Sequence, residues 1–572
     1  MRRFFANFPA FETGAILLLF PALSFVSATI LLFAGIQNLG LAPLSAFFAS
    51  IPVLFSFRRE VRLKAGATFL LLLAGGCLFS EFFIDTSFDG VTYHQSIIYL
   101  IKSGWNPIRE PYPSGRLICY WCDVVGKHYA LGVELNAASF YSLTGSLEMS
   151  KALNWSFALG SFFLCYDFLS TPAWRTRLET LGPRMGLLVR LSFSFLLAFN
   201  PVTLLQLGTT YVDGQAASCL LSLGILLYSF QSQTEHRRTR IILAFCLLPL
   251  AVNIKFPVLL YSIVFFGAIS FLVLLRNFKK GILLGLLSLS IIFISAAGFG
   301  FHPYVTNFRS FGTPIYPVIP YRWDGITPPG QLLMSRQLPV NFEGKSRFEK
   351  LFRSVFGKAQ SDALKTPSEL KVPFSVSPDE FLPFQIPDAR ISGLGVFFSG
   401  LLLLSIFLLF LSAMARRSVD PGFLFVAAIL VLSILLNPES WWARIAPQTF
   451  FLPFVFILAS RSLFEREDRA FRLARAFLLF FIVAGFLNLS VMITASLSNQ
   501  AVRSREIART LSSLRENRRP ILVDFHRFYA NRARLEREGI QFFETNDLKC
   551  ANILTLPSTG SEYCEKIAPH RE

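Results

Sequence analysis

Long unbroken apolar runs limit what this chain can fold into more than any other feature. A helix crossing the hydrocarbon core of a bilayer needs about 20 consecutive apolar residues. Runs of that kind lie near 12–35, 65–84, 212–230, 256–276, 281–301, 391–413 and 473–495. Shorter or weaker ones lie near 41–56, 151–170, 185–199, 240–252, 421–436 and 445–460. The expectation is an all-α polytopic membrane protein with about 13 transmembrane helices. The first run is longer than the h-region of a signal peptide, and no small-residue cleavage site precedes the next run, so it reads as a retained span. Composition agrees: of 572 residues 53% are hydrophobic and 16% charged, where soluble domains carry about 25% charge.

A formal net charge of +18 raises the question of nucleic acid, but the placement of the cations answers it. With the N-terminus inside and a crossing at each run, the inner loops carry Arg2, Arg3, Arg58, Arg59, Arg62, Lys64, Arg175, Arg177 and Arg184. They continue with Arg237, Arg238, Arg240, Arg276, Lys279, Lys280, Arg416 and Arg417, then Arg461, Arg466, Arg469, Arg472 and Arg475. The short outer turns carry Lys255 and Arg444, a ratio of roughly 22 to 2, as the positive-inside rule predicts. The basic balance therefore sets topology and predicts no nucleic-acid partner. The register places the segments 85–150 and 302–390, and the chain after about 496, outside, which for a bacterial inner membrane is the periplasm. The expected division is a membrane domain over 1–496 and a small outer module over 497–572.

The outer segments have internal order. SIIYLIKSGW (96–105) and ELNAASFYSL (134–143) read as short amphipathic helices on the membrane surface, separated by the Pro- and Gly-punctuated NPIREPYPSG (106–115). The Pro-rich 302–390 holds one helical stretch near 345–359. Beyond 496, ILVDF, a helical HRFYANRARLERE stopped by Gly539, IQFFE and ANILTLP predict strand–helix–strand–strand, a small α/β module without a phosphate loop. Cys77, Cys165, Cys219 and Cys246 fall in apolar runs and read as buried thiols. In an oxidising outer compartment Cys550 and Cys564 can bridge, as can Cys119 and Cys122 of CYWC.

Ionisable groups at the ends of spanning helices are costly and are therefore site candidates. They gather on the outer side. FDGVTYH (88–94) supplies Asp89, Tyr93 and His94, with Asp85 one turn earlier. GKHYALGVE (126–134) supplies His128 and Glu134. TTYVDGQ (209–215) supplies Asp213, and VNIKFP (252–257) supplies Lys255. FHPYVTNFRSFGTPIYP (301–317) supplies His302, Tyr304 and Arg309; ESWWARIAPQ (439–448) supplies Trp442 and Arg444. Each has a plainer reading. Asp89 and Asp213 could be helix caps, Trp441 and Trp442 interface anchors, Glu439 and Arg444 a structural ion pair, and His128 an interface histidine. The joint pattern of acids, histidines and two rule-breaking cations at one face points to chemistry. A sugar held on a lipid phosphate leaves an anion of low basicity that needs counter-charge from Arg or Lys. The attacking hydroxyl needs a carboxylate base.

These residues also carry a family resemblance. The chain resembles the GT-C superfamily of integral-membrane glycosyltransferases, which includes protein O-mannosyltransferases, the lipid A aminoarabinose transferase and oligosaccharyltransferase catalytic subunits, and is most similar to uncharacterised bacterial members. The matching pieces, in order from about residue 80 to 450, are FDGVTYH, GWNP (104–107), TGSLEMSK (144–151), NPV…YVDG, NIK, the PYVTN…GTPIYP stretch and WWARIAPQ. HYALG (128–132) stands where the family has HYPKG, His302 stands where Asn is usual, and two runs precede the point where many members begin. The resemblance implies an outward-facing site, a polyprenyl-phosphate sugar donor, a glycan or lipid acceptor, and the first-loop Asp, here Asp89, as general base. His94 would assist it. Lys255, Arg444, Arg309 and His302 would bind the donor phosphate, and Tyr93, His128, Glu134, Asp213, Tyr304 and Trp442 the substrates. A divalent cation, Mg or Mn, would need Asp85, Asp89 and Asp213 to converge, as in oligosaccharyltransferases. Two other classes remain open. A transporter or flippase of lipid-linked glycans would place charges at mid-bilayer in paired broken helices. A non-catalytic scaffold for envelope polysaccharide assembly would make Asp89 dispensable.

Overall fold

The structure is a computed structural model that describes residues 8–55, 57–113, 120–232, 236–318, 338–361, 367–414, 419–460, 469–550, 552–557 and 559–565. The chain is mostly helical. Five helices among the described residues are long and apolar enough to cross a membrane: Ala10–Ala34, Arg59–Phe82, Phe256–Arg276, Phe278–Phe299 and Leu473–Asn517. Leu41–Val53, Phe398–Met414, Pro421–Leu436 and Pro447–Ala459 are apolar but shorter.

Two of the long helices show what solvent they are built for. Arg59–Phe82 leaves Leu63, Leu70, Leu71 and Leu78 more than half exposed, and the Phe278–Ile294 helix does the same with Leu283, Leu286, Leu289 and Phe293. A water-soluble protein rarely exposes so continuous an apolar surface, whereas a lipid-facing helix requires it. Ala10–Ala34 is the opposite case and is buried along most of its length. It packs closely against Ala152–Leu169, because a Cβ on Gly14 would sit 2.9 Å from the Gly160 carbonyl oxygen. Small residues at such a crossing let two backbones meet where no hydrophobic force distinguishes helix from lipid.

The two expected loop helices form, at Gln95–Lys102 and Gly132–Thr144, but protein rather than a membrane surface covers them. Gln95 to Ile101 and Gly132 to Tyr141 are buried without a break. The C-terminal module covers the first, where the Tyr99 hydroxyl donates to Glu536 at 2.6 Å and the Tyr99 and Tyr529 rings meet edge to face. The second packs against Gln95–Lys102, Ala10–Ala34 and Leu41–Phe55.

The last apolar run does not end at residue 496. One helix runs without interruption from Arg469 to Asn517, 49 residues, about 74 Å at the helical rise. Its distal turns supply Ile507, Leu511 and Leu514 to the core of the module, so the C-terminal unit begins inside this helix. The sheet has the order β2-β1-β4-β3, with β1 at Ile521–Asp524, β2 at Phe542–Glu544, β3 at Leu554–Thr555 and β4 at Glu562–Glu565. Strands β1 and β2 are parallel, Ile521 opposite Phe542, and the helix Asn531–Arg537 crosses between them. Strand β4, whose mixed EYCE sequence gave no signal, pairs antiparallel with both β1 and β3. Gly539 ends the helix at φ +67° as expected, and Cys550 is bridged to Cys564. Cys119 lies outside the described residues.

Candidate functional site

Four segments far apart in the sequence converge on Arg444. The first follows the Arg59–Phe82 helix, where Asp89 precedes a π-helical turn, Gly90–His94, that leads into Gln95–Lys102. Such turns carry one residue more per repeat than an α-helix and are frequent at functional sites. The second is the entry to the Asp213–Ser232 helix, with Asp213 at its first residue. The third is the tight turn 253–255 ahead of Phe256–Arg276. The fourth is the loop that carries Asp388, and Arg444 itself stands with Trp442 in the turn before Pro447–Phe451.

Arg444 donates through a terminal nitrogen to Asp89 at 2.8 Å. Its Nε lies 3.6 Å from Asp213, and the terminal nitrogen 3.6 Å from Asp388. Lys255 donates to the other oxygen of Asp213 at 2.7 Å. Asp213 also accepts from the Gln206 amide at 3.2 Å. The guanidinium lies over the rings of Tyr211 and Trp442, at 5.2 and 4.7 Å from their centroids. Planar cations are suited to such stacking as well as to carboxylates. Asp213 is 2% exposed, and Asp89, Asp388, Arg444 and Lys255 between 13% and 16%. The cluster is therefore inside the protein, with Asp213 almost fully buried and only a small part of each other side chain exposed.

The electrostatics follow from three carboxylates sharing two cations. Burial pushes the Asp89 carboxyl up, but Arg444, the Tyr93 hydroxyl and His94 outweigh it and hold the group below its ordinary value. Asp388 goes the other way: burial raises it, Arg444 offsets only part, and the Asp89 charge adds to the rise. Tyr93, buried beside Asp89, keeps its proton far above the usual phenol range. Burial pushes Asp213 up as well, but Lys255 and Arg444 outweigh it and hold that carboxyl down. The site thus holds two carboxylates below their ordinary value and one, Asp388, that takes a proton more readily, all beside the same guanidinium.

Of the residues singled out in the sequence, Asp89, Tyr93, Asp213, Lys255, Trp442 and Arg444 are brought together. His94 stands one step behind: its Nδ1 is 2.6 Å from Glu134, and both are buried. The others serve elsewhere. His128 bonds Asn307 at 3.0 Å and packs against Phe311 and Tyr316. His302 donates to the Gly126 carbonyl at 3.0 Å, and burial lowers it to about 4, so it is neutral at pH 7 and offers a phosphate no charge. Tyr304 donates to the Val252 carbonyl at 2.6 Å, bracing the Lys255 turn. Arg309 is exposed and stacks on Phe301. Trp441 and Trp442 are 2% and 4% exposed, too deep for anchors at a lipid interface. Trp441 bonds Glu439, which turns that acid toward the indole.

Asp388 carries no sequence signal. It is one acid among several in a Pro-rich loop, and only the fold sets it 2.7 Å from the Trp442 indole nitrogen and beside Arg444. Arg534 gives no signal either. It is buried, bonds Glu148 at 2.7 Å, the Asp85 carbonyl at 3.1 Å and Gln95 at 2.9 Å, and so fastens the C-terminal module behind Asp89. Beside Arg534 and Lys151, and despite burial, Glu148 is pulled down to about 2.

The donor set does not suit a divalent cation. Asp85 spends one oxygen on Ser87 and the other on Gln95 and Thr210. Asp89 and Asp213 are already neutralised by Arg444 and Lys255. Among the described residues no three His, Cys, Asp or Glu side chains gather as metal ligands would.

No protein-family model, curated protein or solved structure matches this chain.

Proposed function

We propose that this chain is a membrane glycosyltransferase of the GT-C type. It would cross a bacterial inner membrane about 13 times, a number that rests on apolar runs near the spanning length, with the Arg444 cluster at the periplasmic face. It transfers one sugar from a polyprenyl-phosphate donor to a hydroxyl of a glycan or lipid acceptor, with inversion. The observation that carries this reading is the meeting of Asp89, Asp213, Lys255 and Arg444 in one largely buried cluster.

In this mechanism Asp89 takes the proton of the acceptor hydroxyl. The hydroxyl oxygen attacks the anomeric carbon from the side opposite the phosphate. The carbon–oxygen bond to the phosphate breaks, and its electrons leave on the phosphate. Arg444 and Lys255 neutralise that anion, the phosphate competing with Asp213 for them. Arg444 thus touches both base and leaving group. Arg444, with Tyr93 and His94, holds the Asp89 carboxyl below its ordinary value despite burial. Asp388 keeps the guanidinium in the plane of the Trp442 stack.

A second reading draws on the same contacts. Each charge in the cluster already has a partner, as a purely structural ion network requires, and a scaffold for polysaccharide assembly needs no more. Sugar transfer by purified Asp89→Asn protein, with thermal stability followed in parallel, separates the two. Loss of general-base assistance lowers turnover by about 10²- to 10⁴-fold in a folded variant. Undiminished turnover refutes the base and favours the scaffold.

A further inference from the structure

A second, chemically different site lies deeper in the bundle. The helices Phe256–Arg276 and Pro421–Leu436 are pinned together at one end, where Asn437 donates to the Tyr261 hydroxyl at 2.7 Å and that hydroxyl donates to the Ile445 carbonyl at 2.9 Å. Toward their other ends a cavity of about 540 Å³ opens between them. Ala268 and Leu272 face Phe423 and Ile429 across it, and Gly224 and Tyr228 of the Asp213–Ser232 helix form its floor. Leu272, Val426 and Ile429 are partly exposed, so the wall is open toward the surface these helices present. The lining is almost all carbon, and its charged member, Arg276, stands at the rim.

Arg276 is exposed, and so are Lys279 and Lys280 just beyond it. The neighbouring Arg177 pairs with Asp420 at 3.8 Å. Asp420 in turn caps the Pro421–Leu436 helix at Gly422. The rim is therefore net basic, with its nearest acid already engaged. Gly224 and Tyr228 lie eleven and fifteen positions beyond Asp213 on one helix, about 16–22 Å along its axis, which separates this cavity from the Arg444 cluster.

We infer that this cavity binds an anionic phospholipid, one acyl chain lying between the two splayed helices and the headgroup phosphate on Arg276. An apolar space of this size that opens to a bilayer has acyl chains as its solvent. Beyond Tyr228 and the rim Arg276 the lining side chains are apolar, too few polar groups to hold a sugar or nucleotide. Basic pockets between helices on the positively charged side of a membrane protein are recognised sites for anionic headgroups. The inference does not depend on the chemistry proposed for the Arg444 cluster.

The test is native mass spectrometry of the full-length protein, delipidated in detergent and titrated with phosphatidylglycerol or phosphatidylcholine. One phosphatidylglycerol is expected to be retained well below the concentration at which phosphatidylcholine binds. Gly224→Leu fills the floor; a Cβ there meets only Phe265, at 3.9 Å, so the variant should fold and lose at least tenfold in retention. Arg276→Gln should weaken phosphatidylglycerol about fivefold, the worth of one basic residue at a charged lipid surface, and leave phosphatidylcholine unchanged. Equal retention by Gly224→Leu overturns the proposal, as does a wild type without headgroup preference. Full displacement by inorganic phosphate alone also overturns it, since the chain would then contribute nothing. If Gly224→Leu fails to fold, the exposed Arg276→Gln change decides.

Discussion

Asp89 and Arg444 stand 355 residues apart in the chain and 2.8 Å apart in space. Their contact joins the loop after the Arg59–Phe82 helix to the last third of the chain. If the two are coupled, the effects of Asp89→Asn and Arg444→Gln will not add. A double-mutant cycle on thermal stability should show an interaction of about 0.5–3 kcal/mol. Strict additivity would mean that the pair is formed but contributes nothing.

Orientation rests on the charge register. Single cysteines at Ser513, which is exposed on the long helix, and at Arg238, exposed at the start of Arg237–Val252, report opposite sides. A membrane-impermeant thiol reagent added from the periplasm should label the first and spare the second until the membrane is opened. The reverse pattern would invert the topology.

The buried neutral His302 gives a signed pH dependence. Its folded value, about 4, lies below the ordinary 6.5. As pH falls through 6.5 the unfolded chain takes up a proton that the folded chain refuses. Stability is thus lost progressively from pH 6.5 down to about 4 and not further below. His302→Gln keeps a donor for the Gly126 carbonyl. It should melt like wild type above pH 7 and at higher temperature than wild type near pH 4.5. Parallel melting curves across that window would show that His302 titrates normally.

Arg534→Met removes the buried link between module and loop. Glu148 keeps Lys151, so the loss should stay near the lower end of the ~3–5 kcal/mol seen when one member of a buried pair is deleted. The readout is local: amide exchange in 95–102 should accelerate while exchange in Ala10–Ala34 stays slow. Unchanged protection over 95–102 would show that the apolar contacts around Tyr99 and Tyr529 suffice to dock the module.

How much of this is legible in the sequence depends on range. The apolar runs each fall on a helix of the fold, because a chain that must satisfy its own backbone in lipid has few alternatives. The short helices between them, such as Tyr120–His128 and Thr306–Phe311, carry no such signal. The cations Lys255 and Arg444 stand out because they break the charge rule, and both touch Asp213. Asp388 and Arg534 are invisible for the opposite reason: each sits in a polar segment where its type is ordinary, and only tertiary placement makes it unusual. His302, Tyr304 and Arg309 share a motif with no deviation in charge pattern to rank them, and their contacts lie in the wall around the Lys255 turn or on Phe301. The covered position of Gln95–Lys102 needs the module's location, and that of Gly132–Thr144 the packing of distant helices, neither of which a local pattern encodes.

The uninterrupted helix from Arg469 to Asn517 makes rotational phase a property of the whole molecule. Each added residue rotates the distal part of a helix by about 100°. The distance from the last apolar turn to Ile507 therefore fixes not only how far the sheet stands from the membrane but which way Arg534 points. Two anchors at known angular positions, the bundle below and Glu148 above, have to agree. A single residue inserted near Asn499 would leave every strand intact and swing the module away from the loop it covers, whereas an insertion of seven, about two full turns, would restore its bearing at a greater height. The helix acts as a rigid shaft, and the register of its sequence is the setting of a dial.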